Sequence, residues 1–222
     1  MAEITTEEAA ALLDLSQERV SQMLRSGELV GRKLGARFWV ADLNSVHDRR
    51  RRQTPSGRPW SARTARAIIT ALSDGSDVDA RTARLIIDTS TNDLWRRVSQ
   101  LVEIRTYDSL LPEQALAHLA PTGANALERL GERLVGPSRV VEGYLRGIDL
   151  DVLVDVAGLV PDSEGRIAVH RAAFATAEGG AAEEVPIALV AVDCARSPVS
   201  RVNRVGIREL GRLREQWLLQ HT

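Results

Sequence analysis

Two helix-start signals close together near the amino terminus constrain this chain more than any other feature of its sequence. Thr5 and Glu8 stand at the T-x-x-E spacing in which each side chain can accept from the other residue's backbone N–H, so a helix is expected to open near Thr6. Ala9, Leu12 and Leu13 follow at helical spacing. The pattern breaks at Asp14-Leu15, and Ser16, a good N-cap, opens a second helix. Two helices with so short a break make a helix-turn-helix.

On the second helix Val20, Met23 and Leu24 fall on one side, at i, i+3 and i+4. That turns Glu18, Ser21, Gln22 and Arg25 outward and leaves Gln17 and Arg19 flanking. Reading DNA takes side chains of this kind: Gln for the N6/N7 edge of adenine, Glu for cytosine N4, Ser for several edges, Arg for guanine or phosphate. Gly27 ends the helix as a C′ glycine would. Leu29 to Leu34 and Arg37 to Val40 are β-prone runs around Gly35-Ala36, a pair suited to a two-residue hairpin turn with glycine first. Arg32, Lys33 and Arg37 sit near that turn, within reach of a phosphate backbone, while Phe38 and Val40 are expected to pack against the helices.

This stretch resembles the excisionase/MerR-type winged helix-turn-helix, whose pattern appears here as Thr5, Glu8-Ala9-Ala10, Leu12-Leu13, Leu15-Ser16, Val20, Gly27-Glu28-Leu29 and Gly35. The resemblance implies that the second helix and the hairpin bind double-stranded DNA. Glu18 departs from the pattern, where a basic or polar residue is usual, and makes the groove-facing surface less positive. Charge follows the same division. Residues 1–66 hold 12 basic and 8 acidic side chains and residues 67–222 hold 17 and 22, so the formal net charge of −1 conceals a basic head on an acidic body. Part of the head's charge is the run Arg49 to Arg52, which either follows a phosphate strand or complements a helix C-terminus.

A chain of 222 residues is long enough for a small head and a body with its own core. Cys194 is the single cysteine, and His47, His118, His170 and His221 are scattered, so neither an internal disulfide nor a zinc site is expected, and no cofactor. The amino terminus lacks a signal-peptide pattern and the longest apolar run, Ile187 to Val192, is too short to cross a bilayer, which points to a cytoplasmic protein.

The expected organisation is α+β and mostly helical: a winged helix-turn-helix over 1–52, a linker over 53–60, a helical domain over 61–137 and an α+β regulatory or partner-binding domain over 138–222. SARTARAIITALSDG, RTARLIIDT, NDLWRRVSQLVEIR, LPEQALAHL and NALERLGERL carry helical periodicity. Farther on, SRVVEGYLRG and GRIAVHRA read as strands, DLDVLVDVAGL as a short helix, VPIALVAVDCA as a buried strand and VSRVNRVGIRELGRLREQWLLQ as a long terminal helix.

Two constellations raise the question of catalysis. Gly136 and Ser138 precede Asp149 and Asp151 at about the spacing of a nucleotidyltransferase, in which two carboxylates on one strand face hold Mg²⁺, but the apolar phase after Asp149 equally fits a helix. Cys194 with His170 could form a nucleophile pair, although a lone cysteine in an apolar run is ordinarily a core residue. The body resembles the AbiE-like antitoxins that accompany nucleotidyltransferase toxins, through Gly143-Tyr144-Leu145, Asp149-Leu150 with Leu153-Val154, Gly158-Leu159 and VPIALVAVDCARSP followed by Arg201. That resemblance implies a non-enzymatic, autoregulating antitoxin with a nucleotidyltransferase toxin as partner; separately, a DNA-binding regulator of this organisation is expected to act as a homodimer joined through its body.

Overall fold

The computed structural model describes residues 3–13, 15–35, 38–43, 45–46, 49, 60–132, 140–162, 165–174 and 184–221. Helix makes up 58% and strand 20% of them, so the chain is α+β and mostly helical. Contacts divide it into two units, Met1–Thr54 and Pro55–Thr222, each described by itself.

In the first unit β1 (Glu3–Thr5) leads into α1 (Thr6–Leu13), α2 (Gln17–Ser26), β2 (Gly31–Leu34) and β3 (Phe38–Asp42), and Leu43, Ser45, Val46 and Arg49 continue with helical backbone. The caps are local and complete. The Thr5 backbone N–H donates to the Glu8 carboxylate at 2.8 Å, and the Glu8 N–H donates to the Thr5 hydroxyl at 3.1 Å. The Ser16 hydroxyl accepts from the Arg19 N–H at 3.2 Å, and Gly27 ends α2 at φ +78°, where a side chain would be strained. Leu13, Val20, Met23, Leu24, Leu29 and Val46 form the centre of the head's core.

The strand order is β1-β3-β2, all antiparallel. Leu34 pairs with Phe38; of the turn expected at Gly35-Ala36, Ala36 lies outside the described residues. Partners in a ladder share a face, so Ile4, Ala41 and Trp39 turn together toward the helices. The expectation for Phe38 is therefore corrected: it lies on the opposite face and is 73% exposed. Val40 is buried but takes no part in the helix-facing core. The parity is set by β1, a strand that the sequence pattern does not announce.

The second unit runs α3 (Ala62–Asp74), α4 (Ala80–Asp88), α5 (Thr91–Ser99), β4 (Val102–Ser109), α6 (Pro112–Ala117), β5 (Leu119–Pro121), a 3-10 segment (Gly123–Leu130), β6 (Val141–Leu145), α7 (Leu150–Ala157), β7 (Leu159–Pro161), β8 (Ile167–Ala172), α8 (Ile187–Arg196) and α9 (Ser200–His221). Its sheet has the order β5-β6-β8-β4-β7. One face, with Tyr107, Ile167 and Val169, packs beneath α6 and α7; the other, with Val102, Tyr144 and Ala172, packs on the larger helical side.

Three expectations change here. The helix expected through NDLWRRVSQLVEIR stops at Ser99, and β4 begins at Val102, because Leu101 and Val102 continue the helical phase while their successors alternate and pair with β8. VPIALVAVDCA is helix α8 and not a strand. Ala188 to Ala195 are all buried, and a helix covered on every side loses the one-sided periodicity that would mark it. Finally, 61–137 and 138–222 form one contact unit, since β4 and β8 from the two sides pair along six residues each.

The tightest crossing joins α8 and α9. A Cβ at Gly206 would stand 2.2 Å from the Ala195 backbone nitrogen, and the Asn203 amide donates to the Ala195 carbonyl. Gly206→Ala should gain about 1 kcal/mol of helix propensity yet lower the unfolding free energy by about 1–3 kcal/mol net through overpacking. Urea denaturation checks the sign, and unchanged or increased stability contradicts the close crossing.

Candidate nucleic-acid interface

The apolar stripe of α2 faces inward, so its polar residues face water: Gln17, Glu18, Arg19, Gln22 and Arg25 are exposed and Ser21 is half-buried. They lie as one surface. Arg19 donates to the Gln22 side-chain oxygen at 2.7 Å, which fixes that amide while leaving its NH₂ to donate and its second lone pair to accept. Arg19 also approaches Glu28 at 3.8 Å, and Arg49 approaches the same carboxylate at 3.6 Å. Glu28, in the turn after α2, thus ties the outward face of α2 to the helical residues that follow β3. Sequence reasoning missed that role, because nothing local pairs Glu28 with either arginine.

On the hairpin, Lys33 is exposed on β2. Arg32 is engaged: its guanidinium donates to both carboxylate oxygens of Glu3, at 2.7 and 2.9 Å, reaching across β3 to β1. Those hydrogen bonds hold the Glu3 carboxyl below its usual range and raise the guanidinium further. A phosphate would have to displace Glu3 to win Arg32. Arg37, and Arg50 to Arg52 of the basic run, lie outside the described residues.

In the second unit Asp149 occupies the N-cap position of α7 and Asp151 its first turn, with no side-chain capping bond from Asp149. The nucleotidyltransferase arrangement sets its two carboxylates on one strand face, whereas Asp149 and Asp151 lie at the N-cap and first turn of a helix; Gly136 and Ser138 lie outside the described residues. No group of three or more His, Cys, Asp or Glu among the described residues is placed to hold a metal ion. Cys194 donates its thiol to the Gly123 carbonyl at 3.1 Å, and burial, reinforced by Asp193 and Glu142, pushes that thiol up, away from the reactive thiolate.

His170 takes different partners. Its ring nitrogens lie 3.4 Å from Asp193 and 3.4 Å from Glu142, with 1% of the side chain exposed. The Thr122 hydroxyl donates to Asp193 at 2.6 Å, and the Ala124 N–H donates to Glu142 at 2.7 Å. Burial alone lowers the imidazole, but the nearby carboxylates of Asp193 and then Glu142 outweigh it and push His170 up to about 9. The cluster joins β6, β8 and α8 in the middle of the unit, a structural position.

Comparison with protein-family models, curated proteins and solved structures finds no match to this chain.

Because the folded His170 binds its proton more tightly than the unfolded chain does, its contribution is complete below pH 6.5 and is lost as pH rises through about 9. Chemical denaturation across that window should show a fall on the order of 3 kcal/mol. His170→Gln should flatten the profile; a wild-type profile already flat there contradicts the charged cluster.

Proposed function

We propose that this chain is a sequence-specific, double-stranded-DNA-binding transcriptional regulator whose first unit is a winged helix-turn-helix. The observation that carries the reading is the outward surface of α2, polar from Gln17 to Arg25 and backed by an apolar stripe that fixes which side faces water. A helix is about 10–12 Å across and the major groove about 12 Å wide, so α2 enters and presents Gln22, Ser21 and Glu18 to base edges. Gln17, Arg19 and Arg25 flank the groove. Lys33, with Arg32 once Glu3 releases it, lies against the phosphates, and Arg37 belongs to the same hairpin.

The second unit supplies the oligomer and the regulation. A homodimer would space two copies of α2 about 34–36 Å apart, one helical turn of DNA. The narrower reading, an antitoxin that represses its own operon and binds a nucleotidyltransferase toxin, is carried by the sequence likeness of the body alone. In this reading the chain acts by binding and not by catalysis, in the cytoplasm.

Fluorescence anisotropy with duplexes selected from a random library tests the proposal. Gln22→Ala should cost about 1–3 kcal/mol on the preferred sequence and little on others, relaxing base preference. Lys33→Ala should weaken all sequences alike and reduce the salt slope by about 0.9. Glu3→Gln should do the reverse, strengthening binding and steepening the slope by about 0.9, because Arg32 is released to a phosphate. If no duplex binds in low salt, the reading fails.

A further inference from the structure

Five of the twelve large apolar side chains left exposed among the described residues lie in one neighbourhood of the second unit: Leu110, Leu111, Leu116, Val152 and Val156. The fold brings them together. Among the described residues β7 is the last strand of its sheet and pairs with β4. The Ser109 hydroxyl at the end of β4 donates to the Ala157 carbonyl at 2.7 Å, Leu110 lies against Gly158, and α6 packs on α7. Leu110 is 81% exposed and Leu111 and Val152 47% each, and a contiguous apolar patch of this kind marks an interaction site.

Charge frames this surface. α7 buries Leu153 and Ala157 and turns Asp151, Val152, Asp155 and Val156 outward, an apolar row beside an acidic one. Glu113 on α6 and Asp149 at the α7 N-cap add to the acidic side, and neither helix carries a lysine or arginine. Nearby arginines are engaged: Arg146 donates to the Ala117 carbonyl, Arg105 pairs with Glu103 and Arg166 reaches Asp108. A phosphate backbone would be repelled here. A second copy of the chain meeting this face in a two-fold contact would set acid against acid.

We propose that the α6–α7 surface is the docking site for a cationic amphipathic segment of a partner protein, apolar side on the row of Leu110, Leu111, Leu116, Val152 and Val156 and basic side on Asp149, Asp151, Asp155 and Glu113. The proposal rests on the reading of the second unit as the partner-binding part and does not depend on DNA contact by the first.

The test uses the full chain and a labelled peptide with leucines at i, i+3, i+4 and i+7 and lysines elsewhere, beside a peptide with glutamates in place of the lysines. The lysine peptide should bind, less tightly as salt rises, and the glutamate peptide should not. Val152→Ser with Val156→Ser, and separately Asp151→Asn with Asp155→Asn, should each weaken binding about tenfold, or 1.4 kcal/mol. These positions are exposed, so the folded core is untouched, and duplex binding by the same variants should be unchanged, which keeps failure of this site distinct from failure of the DNA reading. Equal binding of both peptides, indifference to all four substitutions, or self-association abolished by the serine pair would overturn the proposal.

Discussion

The head depends on three side chains. Val20, Met23 and Leu24, buried against Leu13, Leu29 and Val46, hold a ten-residue helix that would be marginal on its own in water. Burial of side chains of this size contributes about 1.5–3 kcal/mol each, and it also decides orientation. With that stripe inward, the remaining residues of α2 have only the solvent side to occupy, and a polar, hydrogen-bonding face results with no further device. Ser16 and Gly27 mark its ends, and Glu28 ties Arg19 of that face and Arg49 to one carboxylate.

What the sequence made legible was what neighbours in the chain decide. The Thr5–Glu8 box, the Ser16 cap and the Gly27 stop rest on contacts within one or two turns, the stripe of α2 is fixed by helical spacing along one segment, and each is where the spacing put it. Long-range pairings were not legible. β1 is too short to leave a pattern, yet its register with β3 turned Trp39 and Ala41 inward and left Phe38 outside. The same strand supplies Glu3, which engages one of the arginines assigned to phosphate. Whether Gln17, Glu18, Ser21 and Gln22 read bases is a matter of function, which the exposed geometry supports as a proposal.

The second unit taught a related lesson about burial. A helix enclosed on all sides and a central strand both read as apolar runs, and α8 reads as the latter because Ala188 to Ala195 have no wet face. The polar residue inside that run, Asp193, belongs to α8's contact with the sheet: it meets His170 of β8, which in turn meets Glu142 of β6. A buried charge left without its partners is strongly destabilising, so such a cluster fixes how helix and sheet align. On the other side of the same sheet the polarity reverses, and apolar side chains beside exposed aspartates face water. The chain thus separates a head with a basic balance from a body whose exposed α7 face is acidic and apolar.

In the proposed reading, α2 with its hairpin is the DNA-contacting surface. Backbone amide shifts of the full chain, followed as a selected duplex is added, test it most directly. The account predicts that the largest changes fall on residues 16–26 and 31–35, with the second unit little affected. Changes concentrated in the second unit, or on the inward core of the head with the α2 surface silent, would contradict it.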